Sequence, residues 1–284
     1  MAPVSLDDVA TTTAPPSMAG SPWRARLGAF GRVVLTLAVV IGLWEAVRLA
    51  FGFDSVTMPS AFTIGKFFFS KNSQGQVMWS FLLDNMLVTA RGAVLGLFLG
   101  VITGMAAGIL IAQNRYIRSS LLPLVVAAQT VPIVAIAPAV VLFMGTGTAS
   151  KTAVAGFLTF FPIAVTTARG LQSVPADAVN LLRTYHASDA AVLAGVKIPF
   201  ALPLIFVGLE TSAAFSVVGA IVAELPFGSK DGLGVIILSS WQFYTIQPAS
   251  LYCTVIATCV LGAAIVGVIR LIARLIPAAR QDHR

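Results

Sequence analysis

AVNLLRTYHASDAAVLAGVKIPFALP, residues 178–203, decides how the rest of the chain is read. It carries Asn180, Arg183, Tyr185, His186, Ser188, Asp189 and Lys197, and it closes on two prolines, Pro199 and Pro203. On either side the sequence is a string of apolar blocks, so this polar stretch reads as a water-facing loop between two membrane spans. The whole chain agrees: 57% of its 284 residues are hydrophobic and only 10% are charged, with mean hydropathy +0.91. Soluble domains carry roughly 25% charged residues, so the composition belongs to an all-α, polytopic membrane protein.

Working outward from the loop, the span before it runs over about 152–170, contains Pro162 and ends at Arg169. The span after it covers about 201–223, includes Glu210 and ends at Glu224. Further upstream, a third span reaches Met144 with Pro123, Pro132 and Pro138 inside it, which predicts a kinked helix packed within protein. The second span, about 82–111, has glycine at 92, 96, 100, 104 and 108. A stripe at this spacing lets another helix approach closely in lipid. The first span is about 33–51, the last 249–272, and Met58–Lys71 reads as an amphipathic helix at the interface. Six transmembrane helices result, in a domain 31–276. A disordered tail is expected over 1–30, where Ala, Thr, Ser and Pro abound and no basic n-region suggests cleavage. A second short tail is expected over 277–284.

The 18 Lys and Arg residues set the orientation. With the N-terminus inside, twelve of the 18 collect on the cytoplasmic side and six outside, which places both termini and the 178–203 loop in the cytoplasm. The basic residues flank apolar blocks, so the net charge of +7 is topological and implies no nucleic-acid partner. Cys253 and Cys259 lie six residues apart, about 240° around a helix, so they share no face and read as buried small apolar residues.

Catalytic signatures are missing. There is no GxxxxGK[ST], HExxH or GxSxG, and His186 and His283 are the only histidines. The acids at depth are read as Glu45 and Glu210, with Arg91, Arg169 or a backbone group as candidate partners for Glu210. No internal repeat or ionisable relay of the secondary-transporter kind is visible, so driving force is expected from another chain through the cytoplasmic loop. A stand-alone secondary transporter or channel is the alternative from another class.

The loop resembles a family at this point. ABC importer permeases of the binding-protein-dependent type carry a cytoplasmic pattern E-A-A-x3-G-x9-I-x-L-P. Here Asn180-Leu181-Leu182, His186 and Val196-Lys197-Ile198-Pro199 fall at that spacing, with the leading Glu and the central Gly replaced. Gln129–Lys151 (QTVPIVAIAPAVVLFMGTGTASK), Phe160–Leu171 (FFPIAVTTARGL) and Ala223–Gly234 (AELPFGSKDGLG) are similar to the nitrate, sulfonate and taurine branch, and the resemblance covers about 30–275. It implies a type I ABC importer permease fold in the bacterial inner membrane, with a coupling helix over about 177–191. Asn180, Arg183, Tyr185, His186, Ser188, Asp189 and Pro199 would form the ATPase-coupling region. The partners implied are a second permease copy as a homodimer, two ABC ATPase subunits, an extracytoplasmic substrate-binding protein and membrane lipid. ATP and Mg would be bound by the ATPase and no cofactor or metal by this chain, which would itself be no enzyme. The solute would be nitrate, an alkanesulfonate or taurine, or alternatively a pyrimidine, riboflavin or aromatic compound. Gln129, Thr130, Ser212, Ser216 and Glu210 are candidates for lining its path.

Overall fold

The computed structural model describes residues 22–72, 75–225 and 229–276, with side chains from 31 onward. The tail over 277–284, and the part of the first tail over 1–21, lie outside the described residues. The chain divides into two units, 1–53 and 54–284. In the first, helix α1 (Pro22–Ala50) begins well before the start expected at 33, so residues 22–30 are helical. Near its end Arg48 Nε bonds Glu45 Oε2 at 2.8 Å, one turn away.

The second unit is built on three long helices, α3 (Met78–Gln113), α6 (Thr148–Gln172) and α9 (Ile198–Glu224). Here the glycine stripe finds its partner. Cβ atoms at Gly92, Gly96, Gly100, Gly104 and Gly108 of α3 would collide with Lys151, Ala155, Thr159, Ile163 and Thr167 of α6. Both series step by four in the same sense, so α3 and α6 run parallel with one ridge seated along a side-chain-free groove. Thr159 Oγ1 donates to Gly96 O at 3.2 Å across that contact. On its other face α6 meets α9 antiparallel: Gly219 lies on Ala155, Gly208 on Thr166 and Gly170 on Ala201. α6 is therefore the central layer, which explains why its expected span is the most buried of the apolar helices.

Asn114 ends α3 in an extended conformation and caps the next helix, α4 (Arg115–Ala128), accepting the N–H groups of Tyr116 and Ile117. The third span is not one kinked helix. It is α4 and α5 (Ile133–Met144), bent by 91° at a break over 129–132. Pro132 causes this, because it has no N–H to continue α4 and its residue Val131 is held out of helical geometry. Pro123 and Pro138 are accommodated inside the two halves. Among the described residues five helices are long and apolar enough to cross a membrane, and six crossings result when the bent pair counts as one.

Around this core sit α2 (Ala61–Phe68), α10 (Leu233–Gln242) and α11 (Pro248–Leu275). α2 is shorter than the expected 58–71 helix. Ser60 caps it by accepting Thr63 N–H at 3.1 Å, and Ile64, Phe67 and Phe68 pack on a core that includes Leu82, Cys253 and Leu261. Cys253 is buried and Cys259 exposed. The two cysteines indeed share no face, but the reading of both as buried holds for Cys253 alone.

Candidate functional site

Among the described residues of the second unit, polar chemistry at three places bears on the sequence reading. The first is the 178–203 loop. It folds as α7 (Ala176–Thr184), a turn, α8 (Asp189–Val192) and a π-helical turn Leu193–Lys197 that runs into α9. The single helix expected over 177–191 is thus two helices. The turn between them has a definite cause. His186 N–H donates to Arg183 O at 3.0 Å and Ala187 N–H to Leu182 O at 3.1 Å, the paired bonds of a Schellman motif with His186 at its left-handed position. His186 has φ 54°, and among the described residues it is the one non-glycine with positive φ. The place where the family pattern has glycine is therefore a place where the backbone calls for one.

Ser188 then caps α8, accepting Ala191 N–H at 3.3 Å. Arg183 reaches across the turn to Asp189 at 3.6 Å, with both side chains largely in the open. Asn180, Tyr185, His186, Ser188 and Pro199 are exposed as well. The π turn follows from Pro199: with no N–H it leaves the Gly195 carbonyl without its helical donor, and Ile198 N–H instead closes the wider ring to Leu193 O. The loop thus presents a small polar and aromatic surface on two short helices.

The second place is the broken span. Gln129 and Thr130 sit at the break and are exposed, with Thr130 Oγ1 turned back to Ala127 O at 2.7 Å. A cavity of about 300 Å3 opens beside them, between the break, α6 and α9. Of the other path candidates, Ser212 and Ser216 are buried and already bonded to backbone, Ser212 to Thr159 O across the α6–α9 contact and Ser216 to Ala213 O. Glu210 is partly exposed and pairs with Arg270 of α11 at 2.9 Å, in place of the expected Arg91 or Arg169. The structure therefore brings Gln129 and Thr130 together and sets Ser212, Ser216 and Glu210 into helix contacts elsewhere.

The third place was not foreseen. Lys151, assigned to a turn by sequence, and Glu224, assigned to a span end, form a buried ion pair at 3.0 Å with side chains 3% and 0% exposed. Thr89 Oγ1 lies within hydrogen-bond distance of both Glu224 oxygens, at 2.9 and 3.0 Å. Three consecutive backbone N–H groups at the start of α10, its N-cap and first two residues, are captured in the same knot. Gly232 donates to Asn85 Oδ1, Leu233 to Thr89 Oγ1 and Gly234 to Glu224 Oε2, at 2.8, 2.9 and 2.8 Å. Lys151 completes it through Asp231 O at 3.2 Å. Gly232 has φ 115° and a Cβ there would strike the Glu224 carboxylate, so both conformation and space demand glycine. At 1.5 Å per residue, Lys151 in the knot lies about 30 Å along α6 from Gln172, the end that leads into the loop of His186. The signal available in sequence was Ala223-Glu224 followed by Gly232-Leu233-Gly234, an acid one loop away from two glycines.

Among the described residues no group of three His, Cys, Asp or Glu could hold a metal.

Parallel and antiparallel spans around a central helix, one broken crossing and a long inter-span loop define an all-α protein with five or six helices apolar enough to cross a membrane. The chain belongs to the family described as the binding-protein-dependent transport system inner membrane component, whose model matches residues 92–277. It is 31% identical over 203 residues to the riboflavin transport system permease protein RibX of Chloroflexus aurantiacus, covering 72% of this chain and 74% of the relative. To the putative aliphatic sulfonates transport permease protein SsuC of Bacillus subtilis it is 28% identical over 262 residues, 92% of each. Among solved structures, the inward-facing MetNI methionine ABC transporter matches with TM-score 0.57 at 17% identity, over 70% of this chain and 97% of that one. At that identity the likeness establishes the fold, which is that of a type I ABC importer permease. The chain is accordingly an ABC importer permease of the binding-protein-dependent type, as the motifs implied.

Proposed function

We propose that this chain is the membrane-spanning half of an ATP-driven importer that works with a separate ATPase and an extracytoplasmic binding protein. The observation that carries the reading is the turn at His186, where a Schellman motif falls at the position of the family's glycine and exposes Arg183, Tyr185 and Asp189 around it. In this reading α7 and α8 dock in a cleft of an ATPase subunit, which binds ATP and Mg, on the cytoplasmic side. Two ATPases closing on nucleotide would then swing two permease copies between inward and outward states as rigid bodies. The exposed apolar face of α5, where Leu142 and Phe143 stand almost wholly in the open, suits a second copy of the chain or lipid. Both termini lie inside, and the knot around Glu224 then lies outward, where the binding protein arrives.

The solute is a small organic or inorganic molecule. The sulfonate-type relative supports an alkanesulfonate and the riboflavin-type relative supports riboflavin, while nitrate, taurine, a pyrimidine or an aromatic compound rests on the sequence resemblance. The decisive experiment is affinity purification of the tagged chain from its own membranes. An ABC ATPase is expected to accompany it, and Arg183→Ala with Tyr185→Ala is expected to lose that subunit while the permease stays folded. Ion-coupled uptake by the isolated chain in liposomes, without ATP, would instead establish a stand-alone secondary transporter.

A further inference from the structure

The break in the third crossing and the phenylalanines of two other helices meet at one cavity. Its walls are Gln129, Val131 and Ile133 at the break, Phe157 and Phe161 on α6, and Phe215 on α9. At about 300 Å3 in a single copy of the chain it reaches the lower bound of small-molecule sites. Two independent features mark it as more than a packing fault. Backbone that leaves the helix at membrane depth is tolerated only where protein buries it or where it lines a cavity, and the 91° break does the latter. The wall chemistry is also selective: Phe157 and Phe161 stand edge to face with centroids 4.9 Å apart, and Gln129 is the single polar side chain among the lining residues.

We infer that this cavity holds the transported solute, and that the solute is a neutral, planar aromatic heterocycle rather than an oxyanion; the inference rests on the permease reading above. A carboxamide offers a carbonyl acceptor and two N–H donors side by side, which suits the alternating donor and acceptor edge of such a molecule, whether ring N–H beside C=O or amino N–H beside a ring nitrogen. Aromatic walls take its faces by stacked or edge contacts. An anion would meet no compensating charge there, and leaving one unpaired in an apolar site is costly. The cations that could have helped are committed or distant. Lys151 is locked to Glu224, Arg270 is paired with Glu210, and Arg169 lies two helical turns beyond Phe161.

The test is chain-dependent uptake in the source cells, with the gene deleted and then restored. The neutral aromatic probes are riboflavin and 4-amino-5-hydroxymethyl-2-methylpyrimidine, and the anionic probes are taurine, methanesulfonate and nitrate. Uptake of at least one aromatic probe is expected to vanish on deletion and return with the wild-type gene, while anion uptake stays independent of the chain. Gln129→Leu is expected to raise the half-saturating concentration about tenfold, the scale of one lost hydrogen bond in a dry site. Phe157→Leu, which keeps the side chain apolar, is expected to weaken uptake several-fold. Both variants must retain wild-type membrane abundance and the co-purifying ATPase, which separates a lost site from a lost fold. Chain-dependent uptake of any anion probe, of no aromatic probe, or uptake unchanged in both variants overturns the inference. The permease reading fails separately, by absence of the ATPase from the purified wild-type chain.

Discussion

Two ion pairs on opposite ends of the core show what the chain keeps for itself and what it leaves open. Lys151–Glu224 is sealed in protein, shares its atoms with Thr89 and Gly234, and closes a loop of three captured N–H groups. Arg183–Asp189 bridges a turn in the open at 3.6 Å, beside the backbone bonds of a Schellman motif. The first arrangement satisfies every strong group internally, so it fixes α3, α6, α9 and the α10 loop in one geometry. The second leaves donors, acceptors and an aromatic ring facing outward on a rigid backbone. Stability should therefore reside in the first and recognition in the second.

The sharpest way to break that contrast is to remove one half of the buried pair. Glu224→Leu leaves the Lys151 ammonium without its counter-charge, and losses from such truncations run to about 3–5 kcal/mol. Thermal unfolding of the purified chain in detergent is expected to show a large drop or no folded protein at all. The double variant Lys151→Met with Glu224→Leu is expected to regain a good part of the loss, since no buried charge then remains. If the double variant is as unstable as Glu224→Leu alone, the pair is not what holds the knot together.

Gly232→Ala probes the same knot through backbone. Adopting φ 115° is unfavourable for any residue with a Cβ, at roughly 1–2 kcal/mol, and here the new methyl also displaces the Glu224 carboxylate. A smaller but clear destabilisation than for Glu224→Leu is expected in the same measurement. Gly262→Ala on α11, where nothing lies near, serves as the control and is expected to change little.

The contrast also explains what the sequence could disclose. Glycines spaced by four announced a helix contact, and the structure supplied its partner because Lys151, Ala155, Thr159, Ile163 and Thr167 carry the same period. The spacing of the loop motif marked His186 as the pattern's glycine position, although a single helix was expected over 177–191 and the turn there divides it. Lys151 and Glu224 escaped because each stands at the edge of an apolar block, where a charge ordinarily marks the water. Their pairing joins residues on different helices, and no local period records it. Pro132 signalled a disturbance but not its size, since a kink and a full break have the same sequence and are told apart only by what packs beside them. Glu210 was legible as an ion-paired acid, yet its partner is set by the α9–α11 contact, which periodicity does not fix.

Turning to the open end, His186→Gly should act in the opposite direction to the knot variants. The left-handed conformation at 54° is unfavourable for histidine and free for glycine, so the substitution is expected to stabilise the turn by about 1 kcal/mol. Hydrogen exchange of the Ala187 amide, which is bonded to Leu182 O, is the local readout and is expected to slow. Faster exchange would mean that the imidazole itself supports the turn.

The smallest effect on stability is expected for Asp189→Ala, and it is the most informative about function. The pair is solvent-exposed and long, and such pairs contribute between about 0 and 1 kcal/mol. Unfolding should accordingly be almost unchanged. Should ATP-dependent uptake or capture of the ATPase fall several-fold in this variant, the loss cannot be traced to a weakened fold, because the knot, the α3–α6 groove and the α6–α9 contact are untouched by it. It would have to arise at the surface of α7 and α8. Equal retention of uptake, capture and stability would move the recognition elsewhere on the loop, to Tyr185 and Asn180, which are exposed and take no part in the ion pair.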